Sequence, residues 1–138
     1  MTIQARIHKN FEKQHFMSYL GAKLETIEEG RVSISVEKAA HLSQQTGFIH
    51  AGVITTIADS AAGYAAWSMM PENSDVLSVE FKVNLMRPAS GSKIIAHAQV
   101  IKSGRQITVV EADVEDVDTG KVIAKFQGTM ISVPAQTE

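Results

Sequence analysis

One carboxylate, Asp59, sits within a run of glycine, alanine and aliphatic residues, GFIHAGVITTIADSAAGYAAW, from Gly47 to Trp67. An acid in an apolar segment must either find a hydrogen-bonding partner or change its protonation behaviour, because an unpaired charge away from water is costly. Partly desolvated carboxylates activate water well, so Asp59 is a candidate general base or nucleophile. A carboxylate bonded to Thr55 or to a facing strand is the plain structural alternative. Just upstream, Gly47, His50 and Gly52 form a GxxHxG pattern. If a helix begins there, its unpaired N–H groups and the positive end of its dipole can stabilise an oxyanion, which makes the amides of Ala51 and Gly52 candidate donors. A turn with unusual dihedrals would call for glycine equally well. Read together, a carboxylate and an oxyanion donor suit attack of water on an activated carbonyl.

These residues need a helix to carry them and a sheet to cover it. The alanine-rich segment reads as a helix from about Gly52 to Met69, ended by Pro71. At about 100° per residue, Asp59 shares its face with Gly52, Thr55, Thr56, Ala62, Gly63 and Ala66, while Ile54, Ile57, Ala61, Tyr64 and Ala65 lie opposite. The small residues on the Asp59 face imply that a ligand or another subunit packs there. Before this helix, Phe11, Phe16, Met17 and Leu20 suggest a short N-terminal helix stopping at Gly21, and AKLETIEEGRVSISVEK reads as a hairpin. After it come four strands. In VLSVEFKVNL, alternation places Leu77, Val79, Phe81, Val83 and Leu85 on one face and Ser78, Glu80, Lys82 and Asn84 on the other. Turns at Ser103–Arg105 and Asp118–Gly120 join the last three strands, with Glu111, Asp113 and Glu115 on an exposed strand face. The expected fold class is α+β, one antiparallel sheet covered by one long helix.

Composition narrows the function. With 138 residues the chain is expected to form a single domain over 1–138. Its 13 basic and 15 acidic side chains offer no basic surface for nucleic acid. Without cysteine there is no disulfide, thiolate metal site or cysteine nucleophile. His8, His15, His41 and His97 lack metal-ligand spacing, so no metal is expected. No apolar run reaches the roughly 20 residues of a membrane span, and MTIQARIHKNFEKQ lacks a signal-peptide core. No membrane partner and a cytoplasmic location are the expectations.

The segments GFIHAGVITTIAD and SVEFKVNLMRPA resemble the hotdog-fold acyl-CoA thioesterases of the PaaI-like, phenylacetic-acid-degradation type, over about residues 20 to 133. That family shows Gly-x-x-His-Gly-Gly, an acid nine positions after the histidine, and a strand ending near a proline. The resemblance implies a hotdog fold, a long helix wrapped by a curved antiparallel sheet. It also implies a homodimer joined edge to edge, with active sites at the dimer interface, and a homotetramer of two such dimers. It assigns Asp59 as the acid, the Ala51 amide as principal oxyanion donor, and Ser78 as the match of a serine that holds the water near the acid. Gln44 stands where some relatives carry an asparagine that contacts the thioester. Ala51 replaces the first glycine after the histidine and, being a backbone donor, preserves the N–H. His50 is expected to bond to backbone and fix the loop.

The implied activity is hydrolysis of an acyl-CoA thioester, without any cofactor beyond the coenzyme A of the substrate itself. Arg87 and Lys102, with the turn residues Gly104 and Arg105, lie at strand ends where cations can meet coenzyme A phosphates; ordinary surface charge is the alternative. Phe48, Tyr64, Trp67 and Met69 are expected near the acyl end, closing a pocket for short-to-medium or aryl acyl groups, unless they only fill the core. A hotdog enoyl or hydroxyacyl-thioester hydratase or dehydratase and a non-catalytic acyl-CoA-binding protein are the competing functions.

Overall fold

A computed structural model describes residues 1–136. The chain runs α1 (Ile3–Phe11), α2 (His15–Leu20), β1 (Lys23–Glu28), β2 (Arg31–Glu37), α3 (Ala51–Trp67), β3 (Ser74–Leu85), β4 (Lys93–Ser103), β5 (Ile107–Asp116) and β6 (Lys121–Pro134), with one 3-10 turn at Ala40–Leu42. The strands form one six-stranded antiparallel sheet in the order β1-β2-β4-β5-β6-β3. It curves around α3, which is the hotdog arrangement the sequence implies.

The register explains why the helix fits. Ile34, Ala96, Val114, Ala124 and Leu85 form one cross-strand row, and Val32, Ala98, Ala112, Phe126 and Val83 form the next. Alanines in the central strands leave space, and α3 presents Ile54, Ile57, Ala58, Ala61 and Ala65 to fill it, all of them buried. Ala62 and Ala66 are also fully buried, so the sheet embraces more of α3 than half a wheel allows. Only Ala51, Gly52, Thr55, Thr56, Asp59, Ser60 and Gly63 retain exposure along the first three turns and into the fourth.

Two sequence expectations require correction. The N-terminal region holds two helices. The Thr2 hydroxyl accepts from the Ala5 N–H at 3.1 Å, capping α1, and Ile3, Ile7 and Phe11 recur at helical spacing with Ile7 fully buried. Arg6 docks this helix: its guanidinium lies 3.7 Å from the centroid of the Trp67 ring and donates to the Pro71 carbonyl at 2.9 Å.

The second correction concerns β3. A bulge between Ser78 and Glu80 inserts Val79 as an extra residue, and the alternation changes face there. Ser78 pairs with the buried Met130 and therefore points inward, as do Phe81, Val83 and Leu85 beyond the bulge, whereas Leu77 points outward. β3 is also an edge strand, and Leu77 and Val79 are 57% and 56% exposed.

Candidate active site

Asp59 lies in the third turn of α3, on the face the sheet leaves open, and is partly exposed. The inward turn of Ser78 brings its hydroxyl to the acid. Ser78 Oγ donates to Asp59 Oδ1 at 2.6 Å and lies 3.3 Å from Met130 Sδ. Thr55, the alternative partner for the acid, donates instead to the Ala51 carbonyl at 2.9 Å. One carboxylate oxygen is thus oriented by the serine, and Oδ2 has no protein partner among the described residues. Asp59 and Ser78 share a pocket of about 260 Å³ with Ser60, Gly63, Tyr64, Val76 and Met130 of the core and with Asn10 and Gln14 from the N-terminal segment.

Asn10, Gln14 and Tyr64 complete this pocket, and sequence reading passes over them as site residues. Tyr64 OH donates to Asn10 Oδ1 at 2.8 Å and accepts from Gln14 Nε2 at 2.5 Å. Burial pushes the Tyr64 phenol up to about 12, opposed weakly by the Gln14 hydrogen bond. These contacts span 54 and 50 residues, so no local pattern announces them. Of the four bulky residues expected at the acyl end, Tyr64 alone lines this pocket. Trp67 is core, its Nε1 donating to the Ser74 carbonyl; Met69 is exposed beside Gly30; Phe48 lines a different cleft.

That second cleft, of about 590 Å³, opens at the start of α3 and is lined by residues including Gln44, Phe48, His50, Ala51, Leu85 and Arg87. Its backbone is tightly fixed. The His50 N–H donates to the Leu42 carbonyl at 2.8 Å, and Gln44 N–H donates to the Phe48 carbonyl at 2.8 Å. The Gln44 side chain is itself engaged, its Oε1 accepting from the Thr46 N–H and, at 2.6 Å, from the Thr46 hydroxyl. His50 is the N-cap of α3, and its Nδ1 accepts from the Gly52 N–H at 2.8 Å.

That bond corrects one candidate. The Gly52 amide is taken by the histidine and is not free for an oxyanion, whereas the Ala51 N–H has no partner among the described residues. Glycine at 52 has a steric origin, since an added Cβ would lie 3.0 Å from His50 Nδ1. Gly47 has φ +91°, the left-handed region that favours glycine, so the motif's first position serves the turn.

Ala51 and Asp59 are eight residues apart on one helix, a rise of about 12 Å. Within one chain the donor and the acid therefore serve different clefts. The cationic candidates are also divided. Arg87 lines the cleft at the helix start, with Nη1 donating to the Val122 carbonyl at 2.7 Å. Lys102, Gly104 and Arg105 lie at the β4–β5 turn, beyond Val100, whose N–H donates to Gly30 O; Gly30 N–H in turn donates to Ser68 Oγ at the far end of α3. Among the described residues no three His, Asp or Glu side chains converge as a metal site, and no helix is long and apolar enough to cross a membrane.

Comparison with known proteins identifies the family and the fold. Residues 46–123 match the family described as the Thioesterase superfamily. The crystal structure of a thioesterase family protein from Silicibacter pomeroyi superimposes with a TM-score of 0.93 at 38% identity, covering 96% of this chain and 99% of that one. The E. coli PaaI protein from the phenylacetic acid degradation operon shares the fold, with a TM-score of 0.88 at 21% identity over 97% of this chain and 95% of its own. In sequence, 1,4-dihydroxy-2-naphthoyl-CoA hydrolase of Listeria monocytogenes is 24% identical over 104 residues, 75% of this chain and 84% of that protein.

Proposed function

The chain belongs to the thioesterase superfamily, and from that premise we propose that it hydrolyses acyl-CoA thioesters of short-to-medium or aryl acyl groups, with Asp59 as general base and the Ala51 amide as oxyanion donor. The observation that carries this reading is the 2.6 Å hydrogen bond from Ser78, which holds one oxygen of Asp59 and leaves the other facing the pocket. The CoA hydrolase among the relatives supports the substrate class.

The free oxygen of Asp59 takes a proton from water as the water oxygen attacks the thioester carbonyl carbon. Negative charge develops on the carbonyl oxygen, where the Ala51 N–H and the positive end of the α3 dipole stabilise it. The tetrahedral intermediate collapses with cleavage of the C–S bond, and coenzyme A departs as a thiolate that recovers the proton held by Asp59. A thioester carbonyl is electrophilic and a thiolate leaves readily, so a carboxylate and an aligned donor suffice for this chemistry.

With about 12 Å between donor and acid along α3, the proposed site draws on two chains. In the proposed homodimer, Asp59 and Ser78 of one subunit meet the Gln44–Ala51 loop of the other, and the exposed β3 edges, with Leu77 and Val79, join to cover each other. Two such dimers form the proposed tetramer. Arg87, in the loop's cleft, is placed to meet coenzyme A phosphate from the subunit that supplies the oxyanion donor.

A panel of acyl-CoAs assayed for free thiol tests the reading. Thiol release from hexanoyl- or phenylacetyl-CoA well above that from palmitoyl-CoA is the expected outcome. Absence of thiol release from every member, or a change in enoyl absorbance without thiol, contradicts it.

A further inference from the structure

The geometry points to Met130 as a positioning residue of the proposed reaction, its thioether a second acceptor that receives the Ser78 hydroxyl while Asp59 holds the proton taken from water. This inference rests on the thioesterase reading of Asp59 and adds a residue that acts on the acid through Ser78.

The position of the sulfur carries the argument. Met130 stands directly opposite Ser78 across the β3–β6 pair, at the last paired position before the bulge, and is fully buried. Both side chains line the Asp59 pocket. Leucine has a similar volume, so filling this part of the core does not by itself call for methionine. Methionine adds an acceptor, and its Sδ lies 3.3 Å from Ser78 Oγ. The Ser78 hydroxyl therefore stands between two acceptors, a carboxylate oxygen at 2.6 Å and a thioether sulfur at 3.3 Å, with one proton to give.

The proposed mechanism makes two demands on that proton. A hydrogen bond to an ionised acceptor is roughly twice as strong as one to a neutral acceptor. The Ser78 bond is therefore strongest while Asp59 is a carboxylate, and it weakens at the step in which Oδ2 removes a proton from water. The sulfur offsets that loss. As Asp59 becomes a neutral acid, rotation about the Cβ–Oγ bond of Ser78 turns the hydroxyl from Oδ1 towards Sδ, and the serine keeps its own proton throughout. When the departing thiolate recovers the proton from Asp59, the hydroxyl turns back. Ser78 thus orients the acid while it is charged and keeps a partner while it is not.

Met130→Leu, a volume-conserving swap, tests the sulfur. In this variant kcat for hexanoyl- or phenylacetyl-CoA is expected to fall about two- to fivefold with KM unchanged, the effect of one weak hydrogen bond. In a Ser78→Ala background the same substitution should leave kcat where it is, whereas a packing defect lowers it in both backgrounds. A readout without turnover is the methyl NMR signal of Met130 in protein with isotope-labelled methionine, identified by its loss in Met130→Leu. Asp59 and Tyr64 are the titratable side chains lining the pocket, and Tyr64 keeps its proton up to about 12, so movement of this signal on acidification reports Asp59. The signal should move in wild type and stay in place in both Ser78→Ala and Asp59→Asn. An unchanged kcat in Met130→Leu, a loss of kcat that persists in Ser78→Ala, or a movement of the signal that Ser78→Ala retains overturns the role. Should Met130→Leu not fold, norleucine in place of methionine exchanges the sulfur for a methylene at similar length, and cancellation in Ser78→Ala again isolates position 130. If wild type releases no thiol from any acyl-CoA, the thioesterase reading falls, and the NMR titration alone decides whether the sulfur receives the hydroxyl.

Discussion

At the start of α3 the proposed chemistry rests on a backbone N–H fixed by a ring of main-chain bonds and a histidine cap, whereas eight residues on it rests on a side chain held by one hydroxyl from an edge strand. The two regions respond to sequence differently. A backbone donor survives replacement of glycine by alanine at residue 51, because the N–H is common to both. The acid's geometry depends on a bulge at Val79, without which Ser78 would share the outward face that the alternation assigns to it. Their separation along a rigid helix then turns a local difference into a proposal about assembly.

The largest expected effect lies on the side-chain half. Asp59→Asn keeps the shape of the partly exposed site and removes the base, so turnover is expected to fall by about 10²–10⁴-fold in a folded protein. Near-normal turnover in steady-state assays of that variant would remove Asp59 from the mechanism.

Ala51→Pro probes the backbone half with comparable sharpness. Ala51 is the first residue of α3, where proline is well tolerated, and His50 at φ −60° and ψ 140° already has the backbone a residue before proline requires. The fold and melting temperature should hold while the N–H is lost, with kcat lower by about 10²–10³-fold. A folded variant of undiminished kcat would place the oxyanion elsewhere.

Tyr64 bears on stability at the pocket floor. Its folded pKa of about 12 lies above the ordinary 10.0, so the native state holds the proton more tightly than the unfolded chain. The stability gained is fully present below pH 10 and is lost as pH rises through about 12, amounting to about 3 kcal/mol. Denaturant unfolding across this range should show a downward slope that Tyr64→Phe lessens.

The smallest effect belongs to Ser78. Ser78→Ala leaves Asp59 in place but unoriented, and kcat should fall about tenfold, in line with one charge-assisted hydrogen bond, with KM little changed. An unaltered kcat would show that the acid needs no positioning.

Much of this was legible from residue types alone. Alanine density and Pro71 mark α3, the GxxHxG pattern marks its start, and Asp59 stands out as the acid of an otherwise apolar segment. What escaped depends on distance or register. Leu77, Val79 and Phe81 alternate in hydropathy whether or not a bulge intervenes, so the inward turn of Ser78 is invisible until β6 fixes the pairing. Asn10 and Gln14 reach Tyr64 through tertiary docking of the N-terminal segment, in which Ile7 is buried, Phe11 packs on Tyr64 and Arg6 lies over Trp67. The Gly52 amide was a fair candidate by position, and its loss to His50 Nδ1 follows from a rotamer that residue type does not reveal.

The central claim is that one active site takes Asp59 from one chain and the Ala51 amide from its partner, and refolding a mixture of two inactive variants tests it most directly. Equimolar Asp59→Asn and Ala51→Pro chains, unfolded together and refolded, form mixed dimers in which one of the two sites has both groups intact. With random pairing, activity should recover to about a quarter of that of wild type refolded the same way. Activity no higher than that of the separately refolded parents, with mixed dimers present, would mean that both groups act within one chain and would contradict the shared site.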